Sequence, residues 1–341
     1  RGADRQIHDN IHRLFQSSGR PYGNLDGGGI KLYRNFTELI DNRINNHNRS
    51  KKAAVVNADC LHTLEAIVEA VNQRFLDPIL IGNRTGILEK LYHLGFDHEV
   101  EIINTQTDQE ATSQMIQLFQ NGEIDFIMKG KIDTKVLMKA VVHKENGLNT
   151  GNLISSISLL EVPNYHKLLL FTDVGVVMYP KLEDKVKLLK NAIRYMKEIG
   201  YDKPKVAILS SVEKVNPKMP ETVDAVLLTR MAEDGVFGEC EVYGPLSYDL
   251  IVNPEAKRIK GVTSNVSADA DIVLVPEINT GNALTKAISF SGGDGGALIV
   301  GTSIPIIFSS RGSTKEEKYN SILMASALSA VKMPSKDAIT V

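Results

Sequence analysis

Near its carboxyl end the chain reads GTSIPIIFSSRGSTKEEK over Gly301–Lys318. The apolar run Pro305–Phe308 has the composition of a strand, and it delivers Ser309, Ser310 and Arg311 just before a helical pattern begins. Hydroxyls, backbone N–H groups and a guanidinium converging on a strand-to-helix turn suit an anion or a developing oxyanion. Ser313-x-x-Glu316 and Thr314-x-x-Glu317 both have capping-box spacing, so a helix start accounts for one of these acids but not for Arg311. Three further stretches place polar groups after strands. PEINTGNALTK at 276–286 sets Asn279, Thr280, Gly281 and Asn282 at a helix N-terminus, either as an anion or carbonyl site or as a plain cap. YGPLSYD at 243–249 makes a turn from Gly244 and Pro245, and MKGKIDT at 128–134 offers Lys129, Lys131 and Thr134. Each of these last two is weak alone, because turn residues and loop lysines are usually no more than that.

The elements that must carry these stretches alternate along the chain. Strands are expected at 53–57, 78–82, 100–104 and 125–128, with helices at 61–74, 86–94, 108–120 and 133–142. A second series has strands at 168–171, 206–209, 240–242, 271–275, 297–300 and 305–308. Its helices are at 184–199, 221–232, 281–289 and 314–331. Gly95 suits a C′ position and Asp108 an N-cap. Short strands alternating with longer helices mean βαβ units and mainly parallel sheets. We therefore expect an α/β fold of two α/β domains with a cleft between them, with ligands beyond the carboxyl ends of the strands. Residues 1–30, rich in Gly, Arg, Ser and Asn, read as an arm or an appended segment.

Composition narrows the function classes. A chain of 341 residues with 43% hydrophobic and 23% charged residues is an ordinary globular sequence, and a net charge of −2 is far from the basic excess of a nucleic-acid binder. Cys60 and Cys240 are distant and outside any C-x-x-C, which argues against a disulfide framework or a cysteine zinc site and for a reducing cytoplasm. No apolar run suggests a membrane span. Walker, Rossmann, nucleophile-elbow and H-E-x-x-H motifs are absent, and the eight histidines make no metal pair. Gly292, Gly293, Gly295 and Gly296 are expected to form a flexible turn before a strand.

Taken together, MKG…T at 128–134, VNPKM at 215–219, DGVFGECEVYGPLSYD at 234–249, ADIVLVPEINTGN at 270–282 and VGTSIPIIFSSRGSTKEEK at 300–318 resemble the phosphate acetyl/butyryl transferase family, especially its butyryl branch. The resemblance runs from about residue 50 to 335. It implies a fold like that of isocitrate and isopropylmalate dehydrogenases, divided here as 31–152 plus 300–341 and 153–299, and a homodimer. The implied reaction is acyl-CoA plus phosphate giving acyl phosphate plus coenzyme A, with a short acyl group such as butyryl. Coenzyme A is then a substrate, with no permanently bound cofactor, no metal, and no nucleic-acid or membrane partner. The resemblance assigns the chemistry to Ser310, Arg311 and Glu317. It assigns ligand contacts to Lys129, Gly130, Thr134 and Lys139, to Gly244 and Pro245, to Asn279, Gly281 and Asn282, and to Thr302 and Ser303. Three positions depart from the pattern. Glu317 stands for an Asp of the acetyl branch, Lys139 for an arginine, and Val177 for an asparagine. Lysine keeps the charge and loses the bidentate fork. Two other readings stay open: a non-catalytic coenzyme A or acyl-CoA binder, and a metal- and NAD-dependent dehydrogenase on the same fold. The second would need an acidic metal cluster and an arginine-rich clamp; Asp269 and Asp271 are near each other but precede or begin a strand.

Overall fold

The computed structural model describes residues 33–44, 50–310 and 312–328. The arm expected over 1–30 lies outside them, and so does Arg311. Eleven strands among the described residues are β1 Lys51–Val56, β2 Leu76–Gly82, β3 Glu101–Asn104, β4 Phe126–Lys129, β5 Ser155–Glu161 and β6 Leu168–Thr172, followed by β7 Lys205–Leu209, β8 Glu241–Leu246, β9 Ile272–Leu274, β10 Asp294–Val300 and β11 Ile306–Ile307. They form one continuous sheet in the order β3-β2-β1-β4-β11-β10-β5-β6-β9-β7-β8. The ladders are parallel except at the centre, where β10 runs antiparallel to both β11 and β5, and β5 antiparallel to β6. The fold is thus α/β with a large, mostly parallel mixed sheet.

The helices are α1 Phe36–Leu39, α2 Leu61–Asn72, α3 Arg84–His93, α4 Asp108–Gln120, α5 Thr134–Val142 and α6 Leu182–Glu198, then α7 Pro220–Glu233, α8 Tyr248–Val252, α9 Pro254–Lys260, α10 Ile278–Phe290 and α11 Lys315–Ser326. Local chemistry sets their ends. α3 starts where Asn83 accepts the Gly86 N–H, and its exit is Gly95 at φ +67°, the left-handed turn that glycine enters without penalty. α4 is capped by Thr107, one residue before the expected Asp108. The Asp108 carboxylate instead accepts from Asn57 Nδ2 and from the Asp133 N–H. α10 begins at Ile278, three residues before the expected Gly281, because Glu277 accepts the Asn279 and Thr280 N–H groups.

Successive strand residues face opposite sides of a sheet, and here both sides are packed. Ala53, Val55, Phe126, Met128, Ile157, Leu159, Leu170, Ile208 and Leu298 belong to one cluster that also takes in Leu64, Leu188, Leu228 and Ile322 from helices. On the other side the neighbouring residues fall into two separate clusters. One joins Ala54, Ile81, Ile127 and Ile306 to α4 and α5. The other joins Leu169, Phe171, Ala207 and Val273 to Leu250 and Ile288. Each fully buried Leu or Ile contributes about 1.5–3 kcal/mol, so this layering dominates the stability. Gly295 and Gly296 lie within β10, not in a flexible turn before it. A Cβ on Gly295 would meet Leu160 Cδ2 at 2.2 Å, and one on Gly296 would meet the Ser321 backbone nitrogen at 2.6 Å. No helix among the described residues is long and apolar enough to cross a membrane.

Candidate active site

A cavity of about 630 Å³ lies where the second face of the sheet changes from one cluster to the other. Its floor is Ser156 and Ser158 of β5 with Gly295, Gly296 and Ala297 of β10. Residues with small side chains face this side of the central antiparallel strands, so no helix can be seated there by apolar contact. Asn282, Thr285, Lys286, Ser289 and Phe290 of α10 form one wall. Ser309 and Ser310 beyond β11, with Glu317 and Ser321 of α11, form the opposite one. The edge of β10 is unpaired by β11 at Ala297, and Ser321 Oγ accepts the Ala297 N–H there. That bond ties α11 to the cavity floor.

A buried carboxylate holds the floor in shape. Asp173 is 1% exposed, and its oxygens accept the Ser156 N–H at 2.8 Å, the Ser156 hydroxyl at 2.5 Å, and the N–H groups of Gly175 and Val176 at 2.7 and 2.8 Å. Ser156 Oγ in turn accepts the Val174 N–H at 3.0 Å. Such a set of charge-assisted bonds fixes β5 against the turn after β6. Gly281 lets α10 approach this turn, since a Cβ there would meet the Asp173 carbonyl oxygen at 2.8 Å.

Of the candidate residues, the fold brings Ser310, Glu317 and Asn282 to the cavity. Ser310 is positioned by Ser313, whose Oγ accepts the Ser310 N–H at 3.1 Å and lies 3.2 Å from its hydroxyl. Glu317 completes the second of the two capping boxes: its Oε2 accepts the Thr314 N–H at 3.3 Å, and Thr314 Oγ1 accepts the Glu317 N–H at 3.2 Å. Glu317 Oε1 has no hydrogen bond among the described residues. Arg311 is outside them.

The remaining candidates lie elsewhere. Lys129 ends β4, is 4% exposed, and places its Nζ 5.9 Å from the centre of the Phe308 ring, itself part of the cavity lining. Gly130 packs the end of β4 on the end of β1, where a Cβ would meet the Asn57 carbonyl oxygen at 2.1 Å. Thr134 and Lys139 are exposed on α5. Gly244 and Pro245 lie in β8, and Gly244 packs against Ile208. Asn279 is exposed, with Nδ2 3.4 Å from Tyr179 Oη, and the N-terminal N–H groups read as an anion site are taken by Glu277. Thr302 and Ser303 line a separate cavity of about 160 Å³ with Asn191 and Arg194, where Thr302 Oγ1 donates to the Ile304 carbonyl and Ser303 Oγ to that of Gly147. Val177 packs against the first cluster, away from this chemistry. Asp269 and Asp271 face Lys167 and Lys205, at the amino ends of β6, β7 and β9. They are engaged in structural ion pairs at the end of the sheet remote from the cavity.

The sequence reading passed over Ser156, Ser158 and Asp173. The two serines sit in a strand whose pattern, SSISLLE, is less apolar than its neighbours, and Asp173 belongs to no motif that marks it.

Comparison with known proteins adds an independent line. A family described as "Phosphate acetyl/butaryl transferase" matches residues 109–326. The chain is 36% identical over 284 residues to a phosphate butyryltransferase of Clostridium acetobutylicum, covering 83% of this chain and 94% of that protein. It is 35% identical over 284 residues to a phosphate acetyltransferase of Thermotoga maritima, covering 83% and 95%. Among solved structures, a branched-chain phosphotransacylase from Enterococcus faecalis V583 superposes with a TM-score of 0.74 at 27% identity, covering 81% of this chain and 98% of that one.

Proposed function

The chain belongs to the phosphate acetyl/butyryl transferase family, and from that premise we propose that Ser310, Arg311 and Glu317 carry an acyl transfer between coenzyme A and inorganic phosphate at the cavity floored by β5 and β10. The observation that carries this reading is the meeting of Ser310 and Glu317, from one chain segment, with Ser156, Ser158 and Lys286 across a single cavity. A phosphate oxygen attacks the thioester carbonyl carbon, the carbonyl oxygen takes the negative charge, and the C–S bond then breaks. The acyl group leaves on phosphate, and the coenzyme A sulfur leaves as a thiolate that takes up a proton. Hydroxyl donors such as Ser310 and the guanidinium of Arg311 suit the oxyanion. Glu317 has one oxygen committed to the helix cap and the other open to carry the proton between the phosphate and the sulfur. No enzyme nucleophile is required, and orientation of two anionic substrates supplies much of the rate.

Leu160, Val174, Phe290 and Phe308 give the cavity apolar sides that favour a short acyl chain such as butyryl over acetyl alone. A homodimer working in the cytoplasm, as the resemblance of the sequence implies, belongs to the same reading. The break between the two clusters on one face supports a division into 31–152 plus 300–341 and 153–299, meeting along β5, β10 and β11. Coenzyme A release from acetyl-, butyryl- and isobutyryl-CoA, measured with a thiol reagent with and without phosphate, tests the reading. Phosphate-dependent release that is lost in Arg311→Ala is expected. Binding of coenzyme A without any release would overturn it in favour of a non-catalytic binder.

A further inference from the structure

Four hydroxyl groups that line the cavity have their protons turned into the protein. Ser156 Oγ donates to Asp173 at 2.5 Å, Ser158 Oγ to the Gly296 carbonyl at 3.3 Å, Thr285 Oγ1 to the Gly281 carbonyl at 2.9 Å, and Ser321 Oγ to the Glu317 carbonyl at 2.7 Å. A hydroxyl has a single proton to give and two lone pairs with which to accept. None of the four therefore has a proton left for a ligand, and what they offer the cavity is acceptors. At Ser156 the arrangement is locked from both sides. One lone pair already accepts the Val174 N–H at 3.0 Å. Turning the O–H away would take a donor from a carboxylate that is 1% exposed, which buried acceptors tolerate poorly. The group that Ser156 has left for a ligand is its other lone pair.

The charge behind the floor strengthens this preference. The partners of Asp173 are the Ser156 hydroxyl and the N–H groups of Ser156, Gly175 and Val176, none of them a cation. The carboxylate polarises the Ser156 hydroxyl, which makes its oxygen a better acceptor, and repels an anion set against it. The Lys286 ammonium on the α10 wall and Ser310 on the opposite wall are left to meet anions. The two substrates differ in the same sense. Phosphate brings negative charge, whereas acyl-CoA carries an uncharged amide N–H close to its reacting sulfur.

We propose that Ser156 Oγ accepts a hydrogen bond from the amide N–H nearest the sulfur of coenzyme A, so that the floor held by Asp173 fixes the thioester within reach of Ser310 while phosphate is met by the walls. The inference rests on the acyl-transfer reading. A P–OH of phosphate has the same donor chemistry; the amide is favoured because it brings no negative charge toward Asp173.

The test compares butyryl-CoA with its analogue carrying an ester oxygen in place of that N–H, and measures the binding of each by isothermal titration calorimetry, without turnover. In the wild-type protein the analogue sets one lone pair against another and is expected to bind about 10- to 100-fold more weakly. In Ser156→Ala the acceptor is gone, and the gap is expected to close to within about threefold. Equal affinities in the wild type, a result that does not depend on any variant folding, overturn the assignment. So does a gap that Ser156→Ala leaves intact. A phosphate KM that rises in Ser156→Ala, with butyryl-CoA bound as tightly as before, gives the lone pair to P–OH and overturns the amide contact. A wild-type protein that discriminates between the two ligands but releases no coenzyme A would instead leave the contact standing and remove the acyl-transfer reading.

Discussion

Glu317 has two possible roles, and one substitution separates them. In Glu317→Gln the amide oxygen can still accept the Thr314 N–H, since glutamine serves at the N3 position of a capping box as glutamate does. The Thr314 Oγ1 to Glu317 N–H bond does not involve the side chain that changes. What is lost is the charge, near the N-terminal end of α11, at a partly exposed site where it is worth about 0.3–1 kcal/mol. A shift of that size moves the melting temperature by only ~1–3 °C in a chain of this class. The proton-carrying ability is lost completely, and general acid–base catalysis by one side chain is worth about 10²- to 10⁴-fold. Glu317→Gln is therefore expected to melt within a few degrees of wild type while its kcat for phosphate-dependent coenzyme A release falls by at least about 100-fold. Thr314→Ala gives the reciprocal result. It removes the hydroxyl half of the cap at a cost of ~1 kcal/mol and keeps the carboxylate, so stability suffers more than chemistry. The assay is thermal unfolding beside initial rates, over a range of pH. A Glu317→Gln enzyme with kcat within about threefold of wild type would refute the proton-carrier role and leave Glu317 as a helix cap alone.

Three other outcomes follow from the same geometry. Gly296→Ala puts a methyl group 2.6 Å from backbone atoms of Asn320 and Ser321, so β10 or α11 must move; a loss of about 1–3 kcal/mol is expected in urea unfolding, and an unchanged midpoint would show that this contact yields freely. Ala297→Leu narrows the cavity floor and is expected to lower kcat/KM for butyryl-CoA about tenfold relative to acetyl-CoA, whereas equal losses on both would place the acyl chain elsewhere. Burial would raise the pKa of Asp269, but hydrogen bonds from His166, Lys205 and Lys167 outweigh it and hold the carboxyl well below the usual range. A carboxylate depressed in the folded state contributes stability above its unfolded pKa of about 4, and that contribution is lost as the pH falls toward the folded value. The difference in melting temperature between wild type and Asp269→Asn should therefore shrink from pH 6 to pH 3; a constant difference would remove the ion-pair explanation.

The parallel parts of the fold are legible because their signals are local. β2 carries the apolar run Pro78–Ile81 closed by Gly82, and α2 and α6 repeat apolar residues at helical spacing, so each declares its type without its neighbours. β5 does not. Its sequence, SSISLLE, turns Ile157 and Leu159 to the continuous cluster and sets Ser156 and Ser158 beside Leu160 on the cavity side, and that pattern is meaningful only when β10 and the cavity are known to be beside it. The site divides in the same way. Ser310 and Glu317 come from one contiguous segment and could be found together, while Asp173 and Ser156 meet across 17 residues of chain. The two capping boxes at the start of α11 were equivalent in the sequence. Only the backbone bonds show that Thr314 and Glu317 form the one in use.

The reversal of strand direction at the centre of the sheet explains why the cavity lies where it does. A run of parallel strands needs a crossover for every pair, and crossover helices cover both faces. At β10, β5 and β6 the pairing is antiparallel, and β5 and β6 are joined by the short turn 162–167 with no helix. One face keeps its cover, because α6 and α11 pack across the centre with Leu188, Leu189, Ile322 and Leu323 in the single continuous cluster. The other face loses it, and the gap falls between the cluster of α4 and α5 and that of α8 and α10. Residues facing the gap include Ser156, Ser158, Gly295 and Ala297, too small or too polar to hold a helix in place by apolar contact. A cleft made this way needs no flexible lid or separate subdomain to exist. It requires only that two central strands be short of apolar side chains on one face, and that a carboxylate, Asp173, be buried there to hold β5 against the turn after β6. Filling that face with apolar residues would close the cleft at little cost to the fold while destroying the site, which is why its small and polar residues, and not the larger hydrophobic ones around it, carry the functional information.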